Sequence, residues 1–573
     1  MKDVGNWRNN ITIIADDADK QEDASFILNA EQLSKTIEQT TPEYNISKIY
    51  YDAYESVSSS SGDTYPAVNE AIKKQFNKGT VMLTYIGHGS ARKWSHESVF
   101  LAADATSLRN INRLPLVITA SCENGRFDEH TITSLGESFI LNAHGGAIAA
   151  LVTTRVVYDG NNCQLCNNIY NQKPDNDLRL GDLILRAKNA TGGRTETNKR
   201  NFTLLGDPAI RLVHPANNKI VVTKINHKDV STQLSDTINA VDMVTIEGYL
   251  TDQDGNLLND NGILYSTIFD KASAQTTRGN DEFAPIIDFY TYNNILYSGK
   301  SSITDGYFTL QFIMPKDINY SYGQGRISLY ALTNTGDEAT GYSNNLLIGG
   351  TPENTTIDDF DGPEIELFVN DTFFVDGGIT SNNPTIIARI FDESGINTTG
   401  NGIGHNITAT LDEDASTMLI LNDLYEGNID KFNSGEIKFN LNNLSEGWHT
   451  LTLKVWDIYN NSSDATISFK VVDETSTALN RVYCYPNLAT DEVWFVADHN
   501  QTDYNIDITI KIFDNAGTMV GKLTTTQETH QPIHWNTTHN GKPLENGLYI
   551  YTIEIKSTNG RSTKSGKMII AKQ

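Results

Sequence analysis

The chain has 573 residues, and its 38% hydrophobic and 9% aromatic content supports several folded domains and excludes a wholly disordered chain. The 71 acidic residues outnumber the 44 basic ones, and the formal net charge of −27 argues against nucleic acid as a partner. The sequence contains no run of the roughly eighteen apolar residues that a membrane-spanning helix needs. Four cysteines in a chain of this length do not make a disulfide scaffold.

The amino terminus lacks the pattern of a signal peptide. Residues 1–7 lead directly into the strand-like run Ile11–Ile14, without the charged and apolar regions of an export signal. We therefore expect the chain to be a fragment from which such a signal has been lost.

Residues 1–214 combine strand-like and helix-like patterns. Short apolar runs predict strands at Ile11–Ala15, Ile46–Tyr51, Val81–Ile86, Leu116–Ala120 and Ala147–Val152. Between them, apolar residues recur at helical spacing, first at Leu28, Leu33 and Ile37 and then at Val68, Ile72 and Phe76. This alternation is typical of a parallel sheet covered by helices on both faces, so it predicts a doubly wound α/β domain.

The remainder of the chain has no helical periodicity. Short runs rich in Val, Ile, Thr and Tyr are separated by turns such as Asp254–Asn256, Asp305–Gly306 and Asn515–Gly517. The pattern predicts all-β domains of the immunoglobulin-like sandwich type. Two linker-like stretches, around 349–362 and 473–478, place these domains at 215–350, 360–472 and 480–573.

Two predicted strands end in residues that can carry chemistry. The strand Val81–Ile86 is followed by a Gly-His-Gly turn containing His88, and the strand Leu116–Ala120 is followed by Ser121 and Cys122. Residues 90–115 are long enough for one right-handed crossover, so the two strands are predicted to be neighbours. Functional residues of parallel sheets gather at the carboxyl ends of strands, which would place His88 beside Cys122.

A thiol next to an imidazole has a chemical use, because the imidazole can take the thiol proton and create a thiolate nucleophile. The backbone amides of Gly89 and Cys122 could then form an oxyanion hole. The alternative is a structural one, in which Cys122 is a small buried apolar residue and His88 belongs to a tight turn. Their pairing at two strand ends favours catalysis.

Four motifs in the right order resemble those of gingipain-like cysteine peptidases. They are Tyr85–Ser90, Thr119–Phe127, Gly145–Ala149 and Leu205–Ile210. The resemblance implies a caspase-like fold, Cys122 as nucleophile, His88 as base and no required cofactor. The sequence departs from the gingipain pattern at Glu123 and Arg126, which leaves the substrate preference open.

By the same resemblance, an acidic residue at the end of the first strand orients the histidine. Asp16 is the residue most like it, and Asp17 is a near-equal alternative. Further acidic residues precede the first helix, at Asp19, Glu22 and Asp23. Helix capping explains them, and the functional alternative is a structural calcium site or an acidic floor of the specificity pocket. In that alternative, Asp23 is nearest the position that gingipains use to hold a basic side chain.

The β domains resemble parts of the type IX secretion machinery. Residues 306–331 and the Gly349–Gly350 pair look like the region that follows the peptidase domain in the sortase of that system. The last domain carries Tyr485–Asn487, Ile512–Gly517 and Asn546–Tyr551, which are similar to segments of the carboxy-terminal sorting domain.

The resemblance implies an enzyme on the outer-membrane surface of a Gram-negative bacterium, acting with outer-membrane components of the type IX system. Its partners would be exported proteins with sorting domains, which it cleaves, and an anionic lipopolysaccharide, to which it joins them. Two alternatives stay open: a secreted gingipain-type endopeptidase that cuts after Arg or Lys, and a catalytically inactive adhesin.

Overall fold

The computed structural model describes residues 4–60, 62–171, 178–193, 196–212, 218–351, 359–399, 404–473, 477–501, 505–527 and 529–572. Most of the regular structure is β-strand, and the α-helices lie in the first 201 residues. No helix among these residues is both long and apolar enough to cross a membrane.

The first unit is built on a six-stranded sheet. Its strands, with the short pairs that flank them, are β1 (Asn10–Ala15), β2 (Asn45–Tyr50), β3 (Val57–Ser59), β4 (Gly62–Thr64), β5 (Met82–Ile86), β6 (Gly89–Ser90), β7 (Lys93–Trp94), β8 (Phe100–Leu101), β9 (Leu116–Ala120), β10 (Ala149–Thr153) and β11 (Phe202–Gly206). The strand order in the large sheet is β11-β10-β9-β5-β1-β2, and only β11 runs antiparallel to its neighbour.

The five predicted strands are confirmed to within two residues, whereas β11 was missed. Leu205 and Gly206 were interpreted only as part of a motif, but they complete an edge strand paired with β10. Most of β11 is only half-buried. An edge strand of this kind lacks the continuous apolar run that marks a central parallel strand, and for this reason the sequence pattern did not reveal it.

Helices cover both faces of this sheet. They are α1 (Ser25–Thr40), α2 (Pro66–Lys78), α3 (Ala102–Ser107), α4 (Leu135–Leu141), α5 (Asp159–Tyr170), α6 (Leu180–Ala190) and α7 (Asn198–Asn201). Successive strand residues face opposite sides, so Ile13 packs in a core with α1, α5 and α6, and Ile14 packs in a second core with α2, α3 and α4. The sheet is therefore enclosed by two helical layers.

The helical pattern was correct for α2 and partly wrong for α1. Val68, Ile72 and Phe76 are fully buried, as predicted. In α1, Leu33 is buried but Leu28 is 50% exposed. Each residue of an α-helix is rotated by about 100° from the one before, so side chains five positions apart point in directions about 140° apart. Leu28 therefore lies away from the buried face that contains Leu33.

The second unit is a sheet that closes on itself. The strands of this unit are β12 (Asn218–Ile225), β13 (Lys228–Asp229), β14 (Met243–Thr251), β15 (Gly262–Phe269), β16 (Ser273–Thr276), β17 (Asp288–Thr291), β18 (Ile295–Thr304), β19 (Tyr307–Ile313), β20 (Gly323–Thr333) and β21 (Glu338–Ile348). Of these, β16 and β17 form a separate two-stranded sheet. The order is β13-β12-β14-β19-β18-β15-β20-β21, and a parallel pairing of β12 with β21 completes the ring. The sandwich predicted here is thus a closed sheet around one core.

The last two units each consist of two facing sheets. The first pair uses β22 (Glu364–Val369), β23 (Gly378–Thr380), β24 (Thr385–Phe391), β25 (Thr408–Leu411), β26 (Leu419–Ile420), β27 (Tyr425–Gly427), β28 (Ser434–Asn440), β29 (Gly447–Trp456) and β30 (Ser462–Val471). The second uses β31 (Leu479–Tyr485), β32 (Glu492–His499), β33 (Ile506–Phe513), β34 (Met519–Gln527), β35 (Ile533–Asn536), β36 (Thr538–His539), β37 (Lys542–Pro543), β38 (Gly547–Ser557) and β39 (Gly560–Ile570). Each pair encloses its own hydrophobic core.

The predicted boundary near 214–215 and the centres of both predicted linkers, at 352–358 and 474–476, lie outside the described residues. The division of the chain into four domains therefore stays a prediction.

Candidate active site

The predicted neighbours β5 and β9 pair in parallel, which confirms that part of the sequence argument. Ile86 lies opposite Ala120 in the register, and the amide of Gly87 donates to the Ala120 carbonyl at 3.4 Å. His88 and Cys122 each follow their paired residue by two positions. The sheet thus brings the two residues to the same edge, at adjacent strand ends.

The glycines on either side of His88 are required by close packing. A Cβ atom on Gly87 would lie 2.3 Å from the Cβ of Asp16, and one on Gly89 would lie 2.7 Å from the Ser121 hydroxyl. Both distances are far below van der Waals contact. The Gly-His-Gly sequence therefore lets the histidine turn pass between the ends of β1 and β9.

The turn that carries Cys122 is held by its neighbours. Ser121 donates its hydroxyl to the Asn124 side chain at 2.5 Å, and Asn124 donates its amide to the carbonyl of Ser90 at 2.5 Å. Glu123, next to Cys122, has a positive φ of 61°, a conformation that non-glycine residues seldom adopt. Contacts to the neighbouring hairpin thus maintain a strained turn at the nucleophile position.

The Cys122 thiol is half-buried at the border of the core beneath α1 and α5. Its Sγ lies 3.6 Å from the carbonyl of Val157, to which it donates. The other thiols, at Cys163, Cys166 and Cys484, have pKa values raised by burial, which keeps them protonated. A protonated thiol is a poor nucleophile, and none of these three lies at the strand ends.

The ring of His88 contacts three side chains. Its Nε2 lies 3.0 Å from a carboxylate oxygen of Asp23, an ion-pair distance whose angle falls outside the limits of a hydrogen bond. The Phe26 ring meets it edge-on at 5.1 Å, and the His96 ring stacks on it at 4.4 Å. His96 is in turn held by Asp19, whose carboxylate lies 2.6 Å from Nδ1. These contacts fix the plane of the imidazole.

The three candidate acidic residues near His88 contact different groups. Asp16 uses its Oδ2 to accept the backbone amide of His88 at 2.8 Å, and Asp17 accepts the Tyr65 hydroxyl at 2.8 Å. The carboxylate beside the ring is that of Asp23, which was predicted to line a substrate pocket or cap the helix. Its Oδ2 also accepts the amide of Lys20, so the capping interpretation holds as well.

The turn Gln21–Ala24 explains why Asp23 takes this place. It reverses the chain after β1 and brings Asp23, which is 4% exposed, back over the strand ends. Asp16 directly follows β1, and its carboxylate accepts the backbone amide of His88. The number of residues after β1 does not reveal where the chain reverses, so the sequence could not place Asp23 beside the ring.

Three carboxyl groups behind the histidine have raised pKa values. Burial, then the charges of Asp17 and Glu97, raise the pKa of Asp16 well above its usual value. Burial and the charge of Glu97 raise the pKa of Asp17 to about 8. Burial likewise raises the pKa of Glu97. The region behind His88 therefore contains carboxyl groups that hold their protons more firmly than usual, and two of them, Asp16 and Asp17, are buried.

The sequence analysis missed His96, Glu97 and Asn124. His96 and Glu97 belong to the hairpin formed by β6, β7 and β8, which folds back onto the strand ends. The spacing of these residues in the sequence does not indicate that the hairpin folds back onto the strand ends. Asn124 lies in the recognised cysteine motif, which was the one available signal.

The amide of Gly89 lies at a position of the hairpin that does not pair with the opposite strand. Ser95 donates its amide to the His88 carbonyl at 2.9 Å, so residues 88 and 95 form a hydrogen-bonded pair of the hairpin. Hydrogen-bonded and non-bonded pairs alternate in antiparallel strands, and Gly89 is opposite Trp94 in the next pair. The Gly89 N–H therefore points away from the partner strand.

Comparison with known proteins gives a family match for the first unit. Residues 1–213 match the model of peptidase family C25, which confirms the resemblance to the gingipain family for this part of the chain. No match was found among curated proteins.

The solved structures similar to the chain include that of dimeric latent PorU from Porphyromonas gingivalis, at 30% identity and a TM-score of 0.31, covering 75% of this chain and 41% of that one. The present chain thus spans less than half of the PorU chain. The Arg-specific cysteine proteinase gingipain R is similar at 17% identity and a TM-score of 0.31, covering 60% of this chain and 68% of that one.

Proposed function

We propose that this chain is the sortase of a type IX secretion system, a cell-surface cysteine endopeptidase and transpeptidase. It would cleave the carboxy-terminal sorting domain from exported proteins at the outer membrane and attach them to an anionic lipopolysaccharide. The observation that supports the peptidase part is the parallel register of β5 and β9, in which the residues two positions before His88 and Cys122 lie opposite each other. The 3.0 Å approach of Asp23 to the imidazole adds to it. We also take the enclosed six-stranded sheet to be of the caspase-like type.

The proposed reaction begins at Cys122. Nε2 of His88 faces Asp23, so Nδ1 is the nitrogen that takes the thiol proton. The thiolate then attacks the carbonyl of the peptide bond before the sorting domain, and the amides of Gly89 and Cys122 stabilise the oxyanion. The imidazolium returns its proton to the departing amine as the C–N bond breaks. A thioester between the cargo and Cys122 remains.

The acceptor completes the reaction. An amine of the lipopolysaccharide attacks the thioester carbonyl, transfers its proton through His88 to the departing sulfur and forms an amide. Water in place of the amine gives hydrolysis and the same free enzyme. Both outcomes use the same residues, so the acceptor that reaches the thioester first decides between them.

The alternative of a gingipain-type endopeptidase would need an acidic group to hold Arg or Lys. Asp23 was the residue predicted for this purpose, but its carboxylate contacts His88 and its side chain is 5% exposed. This contact favours the sortase over an Arg- or Lys-specific enzyme. Fast turnover of small Arg or Lys substrates would support the endopeptidase instead.

The test is Cys122→Ala. We expect processing to stop and cargo to accumulate with its sorting domain attached, because the nucleophile is lost. The free energy of unfolding should change by less than about 1.5 kcal/mol, since little volume is removed. Mass spectrometry of surface proteins reads out both the cleaved terminus and the attached lipopolysaccharide.

Cys163→Ala is the matched control, because it removes a thiol away from the strand ends and should leave processing intact. Normal processing by Cys122→Ala would contradict the proposed site. A third outcome is that processing stops in Cys122→Ala while the wild type releases cargo but never attaches it to lipopolysaccharide. That outcome would support the peptidase activity and reject the transpeptidase activity.

A further inference from the structure

A groove of about 400 Å³ lies where the first and second units meet. One side of it is formed by the first residues of β2 and the loop before them, and the other side by residues of β17, β20 and β21. Its volume is in the range of sites for small ligands, roughly 300–1,000 Å³. Because Asn45 begins β2, the groove lies at the opposite edge of the six-stranded sheet from His88 and Cys122.

One cation in this groove has no carboxylate partner. Arg326 is 7% exposed, and none of the ion pairs formed by the described residues includes it. The two acids whose charges act on it, Glu38 and Glu43, are themselves paired with Lys48 and Lys219. Burial lowers the pKa of Arg326, as expected for a buried charge that its neighbours compensate only in part.

The guanidinium of Arg326 is held by one side of the groove and still has donors to offer. Nε donates to Oδ1 of Asn45 at 3.1 Å, and Nη2 donates to the carbonyls of Pro42 and Tyr44. Nη1 makes no hydrogen bond with a described residue, and it is not among the fully buried polar atoms, so it keeps accessible surface. Two N–H groups of a charged side chain are thus available to a ligand.

The same groove exposes an unusual number of aromatic rings. Tyr290, Tyr292 and Tyr342 all line it and are 62%, 37% and 37% exposed. The guanidinium carbon of Arg326 lies 5.8 Å from the centre of the Tyr292 ring and 5.1 Å from that of Tyr342. Each tyrosine has an apolar face and a hydroxyl at its edge, which complement the apolar faces and the hydroxyl edges of a sugar ring.

We propose that this groove binds a saccharide that carries a carboxylate, as uronic acids do. One guanidinium charge without a counterion matches one carboxylate, and the tyrosine rings beside it provide faces on which sugar rings can stack. A phosphate monoester carries about −1.5 to −2 charges at pH 7, which one guanidinium would not balance in a chain of net charge −27. An acidic peptide would supply carboxylates but would not explain three exposed tyrosine rings around one cation.

A saccharide bound here would be held without being processed. Strand residues rise by about 3.3 Å each, so the length of β1 and β2 separates the groove from the strand ends at Cys122 by roughly 20 Å. The site therefore goes beyond the proposed function and does not rest on it.

The experiment uses the full chain with trigalacturonate as the probe and its methyl ester as the uncharged counterpart. In isothermal titration calorimetry, we expect the acid to bind at least about tenfold more tightly than the ester, because only the acid pairs with the charge of Arg326. In Arg326→Gln the two compounds should bind alike. A purely structural role of Arg326 would not remove the difference between them.

Tyr290→Ala tests the groove without changing the buried arginine. Because an exposed sugar-stacking face is lost, both compounds should bind about fivefold more weakly, and the preference for the acid should remain. Tyr307→Ala is the matched control, since Tyr307 is a 55% exposed tyrosine of β19 that does not line the groove. It should bind both compounds like the wild type. If Arg326→Gln does not fold, the wild-type preference and the loss in Tyr290→Ala decide.

The proposal is overturned if the wild type binds neither compound, if it binds the ester as tightly as the acid, or if folded Arg326→Gln keeps the preference. Tighter binding of hexaglutamate or of mannose 6-phosphate than of trigalacturonate would also overturn it, in favour of an acidic peptide or a phosphate. Cys122→Ala should bind trigalacturonate like the wild type, so this outcome is independent of the proposed peptidase activity.

Discussion

The imidazole of His88 is positioned by side chains from outside its own turn. Asp23 approaches Nε2, Phe26 meets the ring edge, and His96 covers one face. A base that must accept a proton from a thiol gains from a fixed ring plane and a defined tautomer. The residues that hold the ring plane come from the turn after β1 and from the hairpin after β6, and Asp23 places a carboxylate beside Nε2.

Asp23→Asn should therefore slow the reaction while retaining the fold. We expect kcat/KM to fall by about 100-fold, in the range of a misplaced general base, because a neutral amide cannot balance the charge of the imidazolium. Cleavage of a cargo peptide measures the rate, and thermal unfolding verifies the fold. Asp16→Asn should lose less activity, because its side-chain amide oxygen can still accept the backbone amide of His88. A larger loss of activity in Asp16→Asn would favour Asp16, the residue predicted from the sequence, as the acid that orients His88.

At the scale of single elements, glycines decide how closely segments pass. Gly146, before β10, has a φ of 91°, and a Cβ atom there would lie 2.0 Å from the carbonyl oxygen of Phe139 in α4. The Asn110 side chain also accepts the Gly146 amide at 2.8 Å. The connection from α4 to β10 therefore depends on the absence of a side chain.

Gly146→Ala should destabilise the chain by about 3 kcal/mol, because both the backbone conformation and the contact with Phe139 are unfavourable to a side chain. The control is Gly160→Ala in α5, where no atom lies within 4 Å of the added Cβ. There, alanine should stabilise by up to about 1 kcal/mol, from helix propensity. Urea denaturation of both variants compares them. Equal stabilities would contradict the account.

At the scale of the whole molecule, buried polar contacts join the units. Arg326 of the second unit donates to the carbonyls of Pro42 and Tyr44, at 2.5 and 3.1 Å. His530 of the last unit lies 2.7 Å from Asp371 of the unit before it, and His499 stacks on His530 at 4.3 Å. The contact between the last two units thus depends on histidines, whose protonation changes with pH.

The two histidines act in opposite directions. Burial alone would lower the pKa of His530, but the hydrogen bond and the charge of Asp371 outweigh burial and raise this pKa. Protonated His530 therefore stabilises the fold below about pH 6.5, and this stabilisation is lost as the pH rises through the folded pKa. Burial lowers the pKa of His499 to about 3. Its neutral ring therefore costs stability as pH falls from about 6.5 towards 3, where the unfolded chain binds a proton and the folded chain does not.

His499→Phe should remove that acid-dependent loss. We expect the free energy of unfolding of the wild type to fall by a few kcal/mol more than that of the variant between pH 7 and pH 4. Urea denaturation at several pH values measures this difference. His227→Phe, at an exposed site, should follow the wild type. Parallel pH profiles for wild type and His499→Phe would reject the role given to burial.

The sequence by itself determined the local features of the first unit. Five buried parallel strands were predictable because each needs a continuous apolar run, and His88 and Cys122 were recognisable because residues at the ends of such strands are exposed to a crevice. The glycines around His88 also indicated a close approach of the backbone, because only glycine, which has no Cβ atom, fits at such positions.

Only the tertiary structure decided which partners these residues have. The position of Asp23 beside the His88 ring depends on the path of residues 17–25. Asp159 of α5 anchors that path by accepting the Ser25 hydroxyl at 2.7 Å. The closure of the second sheet depends likewise on β12 meeting β21, more than a hundred residues later. Such contacts join positions far apart in the chain, and local periodicity contains no information about them.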